Sequence, residues 1–267
     1  MRIALVTDIH FGPRAYFGGK LRKLTDQAGR LTREVVRRWT DEHEPDVVVN
    51  LGDVIEDESR AVDADRYREF LRELQPLVVP VLHVAGNHDQ VNLTDDDLRE
   101  LWDHSGPLHY SRDIGGFHFV VLNTLETKDV SVRLPAEQLD WLREDLSQTR
   151  LPTLVLMHHP ASEMDLTGNR WFERAPHICR VAERRELRRA LAASGRVIAV
   201  FNGHAHWNHV DVLDSIPYIT LQSLTENLDD DAPGRPSEAF AIVDLDPHGV
   251  KVDIRGQAPF VAQFERK

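Results

Sequence analysis

The sequence predicts an α/β fold in which two stacked sheets carry helices on their outer faces. Three observations support that expectation. Short β-branched runs alternate with amphipathic stretches in the first half, a hairpin signal and further short strands fill the second, and 267 residues at 41% hydrophobic content suffice for a large core. No Pro/Gly/Ser-rich linker or break in composition divides the chain, so one domain over 1–267 is expected.

In chain order, strands are expected at about 2–7, 46–50 and 78–84, where β-branched residues cluster. Between the first two, Leu24, Ala28, Leu31, Val35 and Trp39 recur at helical spacing, which predicts a covering helix over Leu21 to Glu44. Tyr67 to Leu74, with Phe70 and Leu71, predicts another. Leu108–Arg112 and Phe117–Leu122 flank Gly115-Gly116, a hairpin signal. Pro135 opens a helix through Leu139, Leu142 and Leu146, and a strand at Thr153–Met157 follows. A helix over Val181 to Ala193 should stop at Gly195. The last strands fall at about 197–201, 209–213, 216–221, 239–244 and 249–254. Beyond residue 222 no motif stands out, and Gln222–Asn227 is expected to border the cleft only because it follows a strand.

Several functional classes drop out. The longest apolar runs, Val47–Val49 and Val197–Phe201, fall far short of the roughly 20 residues needed to span a bilayer. The N-terminus enters a buried-strand pattern, Arg2 to Asp8, without an apolar leader, so a cytoplasmic location is expected. Cys179 is the single cysteine, which rules out an intrachain disulfide and a thiolate metal cluster. A formal charge of −12 disfavours nucleic acid and anionic membranes as partners and favours a small substrate. The oligomeric state is left open, a homodimer among the alternatives.

The informative pattern is where His, Asp and Asn fall relative to the strands. Strand one ends in Asp8-Ile9-His10, whose first and third side chains project to the same side. Other apolar runs end in Asn50-Leu51-Gly52-Asp53, Gly86-Asn87-His88-Asp89, His158-His159-Pro160 and Gly203-His204-Ala205-His206. Each alone is an ordinary turn sequence, but five together at strand ends place a site at the carboxyl edge of a sheet.

Asp8-x-His10, Gly52-Asp53, Gly86-Asn87-His88-Asp89, His158-His159-Pro160 and Gly203-His204-x-His206 resemble the full motif set of the calcineurin-like metallophosphoesterases, over about residues 1 to 210. The resemblance implies a four-layer α/β-β/α sandwich with a dinuclear metal centre. Leu134-Pro135-Ala136-Glu137-Gln138-Leu139-Asp140-Trp141-Leu142 is similar to the branch of class III cyclic nucleotide phosphodiesterases and glycerophosphodiesterases. Carried over, one metal falls to Asp8, His10 and His206, the other to Asn87, His158 and His204, with Asp53 bridging. Imidazole, carboxylate and amide donors without thiolate suit Mn, Fe, Zn or Co.

The implied reaction is hydrolysis of a small phosphate ester by metal-activated hydroxide, a diester such as a cyclic nucleotide ahead of a monoester. A nuclease and a non-catalytic scaffold are weaker alternatives. His88 is the family's residue for stabilising the leaving group, and Asp89 is expected to orient it. Only one of the adjacent His158 and His159 readily serves as a ligand. The family pattern favours His158, which leaves His159 behind the ligands, against the substrate, or simply packed in the core. The loops Phe11–Lys20 and Pro160–His177 offer Arg14 and Trp171 as substrate contacts, and His209 lies close beyond the last motif. The histidines at 43, 83, 104, 109, 118, 177 and 248 are read as background.

Overall fold

The computed structural model describes residues 1–127, 131–246 and 249–265, so His248 lies outside it. The chain runs β1 (Arg2–Val6), a ribbon of β2 (Ala15–Phe17) and β3 (Lys20–Lys23), α1 (Ala28–Arg38), β4 (Val47–Asn50), α2 (Arg60–Glu73) and β5 (Val81–His83). Helices α3 (Asp89–Asn92) and α4 (Asp95–Trp102) lead into the hairpin of β6 (Tyr110–Ile114) and β7 (Phe117–Val121). A second ribbon, β8 (Leu125–Glu126) with β9 (Val132–Arg133), precedes α5 (Ala136–Gln148), β10 (Thr153–Leu156), α6 (Arg184–Ser194) and β11 (Val197–Asn202). Strands β12 (His209–Leu213), β13 (Ile216–Thr220), β14 (Phe240–Asp246), β15 (Gly249–Arg255) and β16 (Phe260–Glu265) complete it.

One sheet has the order β16-β15-β14-β1-β4-β5 and the other β12-β13-β11-β10-β7-β6. In the first, β1, β4 and β5 are parallel; in the second, β7, β10, β11 and β13 are. Strand alternation sorts the apolar residues. Ile3, Leu5, Val47 and Val49 face Phe119, Val121, Leu154 and Leu156 between the sheets. Ala4, Val6 and Val48 turn outward onto Leu31, Val35 and Phe70 of α1 and α2, while Val120 and Val155 pack on Leu142 and Leu187 of α5 and α6. The result is the expected four layers, each fully buried Leu, Val or Phe contributing about 1.5–3 kcal/mol.

The boundaries differ where competing local rules won. Leu21 to Glu44 is not one helix. Lys20–Lys23 pairs with β2 across Gly18 and Gly19, which both hold left-handed φ, and α1 begins only after a tight turn at Thr25–Gln27. Leu21 and Lys23 are buried and Arg22 is less so, a period of two that overlaps the helical spacing. The strand expected at 78–84 shortens to β5, and α2 begins at Arg60, seven residues before the expected start. The hairpin at Gly115-Gly116 and the helix stop at Gly195 are as expected. Strand β16, after the last expected element, extends the first sheet. Among the described residues no helix is long and apolar enough to cross a membrane.

Candidate metal centre

The carboxyl ends of β1, β4, β5, β10 and β11 lie at one edge, and their loops interlock. Asp8 N–H donates to the Gly52 carbonyl (2.9 Å), His10 N–H to that of Asp53 (3.0 Å), and Gly203 N–H to that of His158 (3.0 Å). Two glycines are required by close approach. A Cβ on Gly203 would sit 1.9 Å from Thr7 Oγ1 and 2.4 Å from Asp8 Oδ2, and one on Gly86 would sit 2.1 Å from Asp53 N. Five of the seven expected ligands, Asp8, His10, Asp53, His204 and His206, hold φ between 50° and 66°. Such left-handed backbone costs a non-glycine residue about 1–3 kcal/mol and persists where the surroundings over-determine it.

The donor atoms form two groups that share one oxygen. In the first, Asp8 Oδ1 is 3.2 Å from His206 Nε2, which is 3.2 Å from His10 Nε2. In the second, His158 Nε2 is 3.1 Å from Asn87 Oδ1, and the His204 ring lies 5.1 Å from that of His158. Asp53 Oδ2 lies between them, 3.8 Å from His10 Nε2 and 3.3 Å from His158 Nε2. The other ring nitrogens are already engaged: His206 Nδ1 with Glu226 (2.7 Å), His158 Nδ1 with the Leu51 carbonyl (2.8 Å) and His204 Nε2 with the Ile178 carbonyl (3.2 Å). His10 Nδ1 faces Glu56 at 3.1 Å. Each ring therefore turns its free nitrogen inward, as second partners do around metal-bound imidazoles. Asp8 Oδ1 is buried without a hydrogen-bond donor. Opposed lone pairs and an orphaned carboxylate oxygen fit cations at both positions.

Burial lowers His10 to about 4 and His204 to about 3, so both rings are neutral and can act as donors. Burial also opposes charge on His158 and His206, but the Asp53 and Asp8 carboxylates outweigh it and push both up to about 9. Asp8 and Asp53 in turn lie below the carboxylate range despite burial, held there by His206 and His158.

Beside the donors, a cavity of about 160 Å³ is lined by His88, Lys23, Glu126 and Trp171 together with Asp53, Asn87, His204 and His206. The Trp171 ring lies 5.1 Å from that of His206, and its Nε1 donates to Glu226. Asp89 does not orient His88. Its buried carboxylate accepts from the backbone N–H groups of Asp53, Val54 and Gly86, all at 2.9 Å, and so pins the loops. The partner of His88 Nδ1 is Asp57. The other expected substrate contacts lie off the cavity. Arg14 pairs with Asp26 (3.0 Å), and His209 faces Asp211 (3.2 Å). His159 is fully buried behind His204, its Nδ1 on Thr124 Oγ1 at 2.7 Å.

Glu56, Asp57, Glu126 and Lys23 are not picked out by the sequence, and Glu226 is picked out only as part of the Gln222–Asn227 segment expected at the cleft. Glu126 and Glu226 follow β7 and β13, parallel strands that end at the same edge as the motif strands, so strand direction was the available signal. Glu56 and Asp57 directly follow Gly52-Asp53.

The sequence profile of the calcineurin-like phosphoesterases matches residues 1–208. The chain belongs to that family. As a calcineurin-like phosphoesterase it is a metal-dependent hydrolase of phosphoric esters, and its histidine and aspartate clusters are able to bind metal. It is 31% identical to a probable cyclic nucleotide phosphodiesterase of Synechococcus over 77% of this chain and 73% of that protein. It is 29% identical to a 3′,5′-cyclic adenosine monophosphate phosphodiesterase of Pseudomonas aeruginosa over 55% of this chain and 51% of that one. A solved structure of a dimetal phosphatase from Danio rerio superposes with a TM-score of 0.80 at 18% identity, covering 100% of this chain and 99% of that one, which shows the shared fold.

Proposed function

We propose that this phosphoesterase is a dinuclear phosphodiesterase acting on 3′,5′-cyclic nucleotides. The hydrolytic part is carried by Asp53 Oδ2, one carboxylate oxygen placed between two groups of inward-turned donors. The diester part is supported by the relatives' names, and the small substrate by the compact cavity and the charge of −12. Asp8, His10 and His206 would hold one ion and Asn87, His158 and His204 the other, with Mn, Fe, Zn or Co as the metals this donor set suits. Such ions, when bound, lower the pKa of water and neutralise phosphoryl charge.

The chain's own residues do the rest. The interlocked loops fix the donors and hold the cavity beside them. Because His88 Nδ1 is committed to Asp57, Nε2 is the atom left to give a proton to the departing ribose oxygen as its bond to phosphorus breaks. Trp171 walls the cavity over His206. A cytoplasmic site of action goes with this substrate class and belongs to the same proposal. Metal-supplemented assays of cyclic AMP and cyclic GMP beside p-nitrophenyl phosphate test it. Preferential cleavage of the cyclic diesters is expected, and preference for the monoester would overturn the diesterase assignment.

A further inference from the structure

Lys23, the last residue of β3, is a lysine only 3% exposed. Lysines are rarely buried unless their charge is matched, because leaving water is costly for an ammonium. Its Nζ has one carboxylate partner, Glu56 Oε2 at 2.5 Å, and Glu56 also faces His10 Nδ1 at 3.1 Å. The Trp171 ring lies on another side, 5.4 Å from Nζ to its centroid. An ammonium has three N–H donors, and among the described residues Glu56 is its only hydrogen-bond acceptor.

Lys23 lines the cavity next to the metal donors, together with Asn87, His88 and His204. No other lysine or arginine lines that cavity among the described residues. A half-matched cation is thus held at the place where a phosphoryl group must bind. Lysine serves such groups as a point charge, and a preorganised charge in a desolvated site acts without reorganisation.

We propose that Lys23 donates a hydrogen bond to a phosphoryl oxygen of the substrate, adding a third cationic contact to the two metal positions. The inference rests on the phosphoester reading of the site but not on which ester is cleaved. Glu56 holds the ammonium in place, with the Trp171 ring beside it.

The test is calorimetric titration of inorganic phosphate into metal-loaded wild-type protein and Lys23→Met, with metal content measured on the same samples. The expected result is binding weakened 10-fold or more with both ions retained. Equal phosphate affinity in the two proteins, or no measurable binding to the loaded wild type, overturns the proposal. So does loss of one ion in the variant, which would make Lys23 a support for Glu56 and His10. Should Lys23→Met fail to fold, Lys23→Gln is read by the same criteria. Because the probe is phosphate, failure of cyclic nucleotide hydrolysis leaves this result standing, and the reverse also holds.

Discussion

The Nδ1 atom of His88 is held by the carboxylate of Asp57, thirty-one residues upstream and on a different loop. The adjacent carboxylate, Asp89, is instead consumed by backbone amides. Adjacency in sequence and adjacency in the site are therefore different things here.

Asp57→Asn should lower kcat by about 10-fold or more on substrates with poor, alkoxide leaving groups and much less on p-nitrophenyl esters, which need no proton. Metal content should not change. Equal losses across a leaving-group series would contradict an acid role for His88.

Glu226→Gln replaces the carboxylate behind His206 with a neutral acceptor. Affinity for one of the two ions should fall by about 10–100-fold, because such partners orient the ring and raise its basicity. Competition with a metal-sensitive dye checks this, and affinity within twofold of wild type would refute it.

Gly203→Ala places a methyl group against Thr7 Oγ1 and Asp8 Oδ2. A loss of about 1–3 kcal/mol is expected from urea unfolding, together with weaker metal binding. Unchanged stability would mean that the two loops are less tightly interlocked than their contacts indicate.

Away from the site, His118 is clamped between Asp145 (2.7 Å) and Asp113 (2.6 Å). The hydrogen bond to Asp145 raises its pKa against the opposing effect of burial, with Asp113 adding to the rise. A raised folded value contributes stability that is fully present below the unfolded pKa of about 6.5 and is lost as pH rises through the folded value. The Tm advantage of wild type over His118→Asn should therefore be larger at pH 6 than at pH 9. An advantage that grows with pH would reverse the sign.

The layers were legible in the sequence, and so was the gathering of the motif residues at one edge, because both depend on local patterns. Ile3 and Leu5 alternate with Ala4 and Val6, and the donor residues directly follow apolar runs. Lys20–Lys23 departs from the expected helix because Leu21 and Leu24 fit a helix as well as a strand. The groups behind the ligands were less visible. Glu226 reaches His206 only because β13 runs parallel to β11, a pairing that no short-range signal reports.

Two donor groups that meet at Asp53 Oδ2 should hold two ions, and metal stoichiometry measures that number. Wild-type protein titrated with Mn and freed of loosely bound metal should retain two ions per chain, and Asp53→Ala should lose metal together with turnover. One ion or none in the wild type, or two ions and near-normal turnover in Asp53→Ala, would rule out a pair of ions bridged by Asp53.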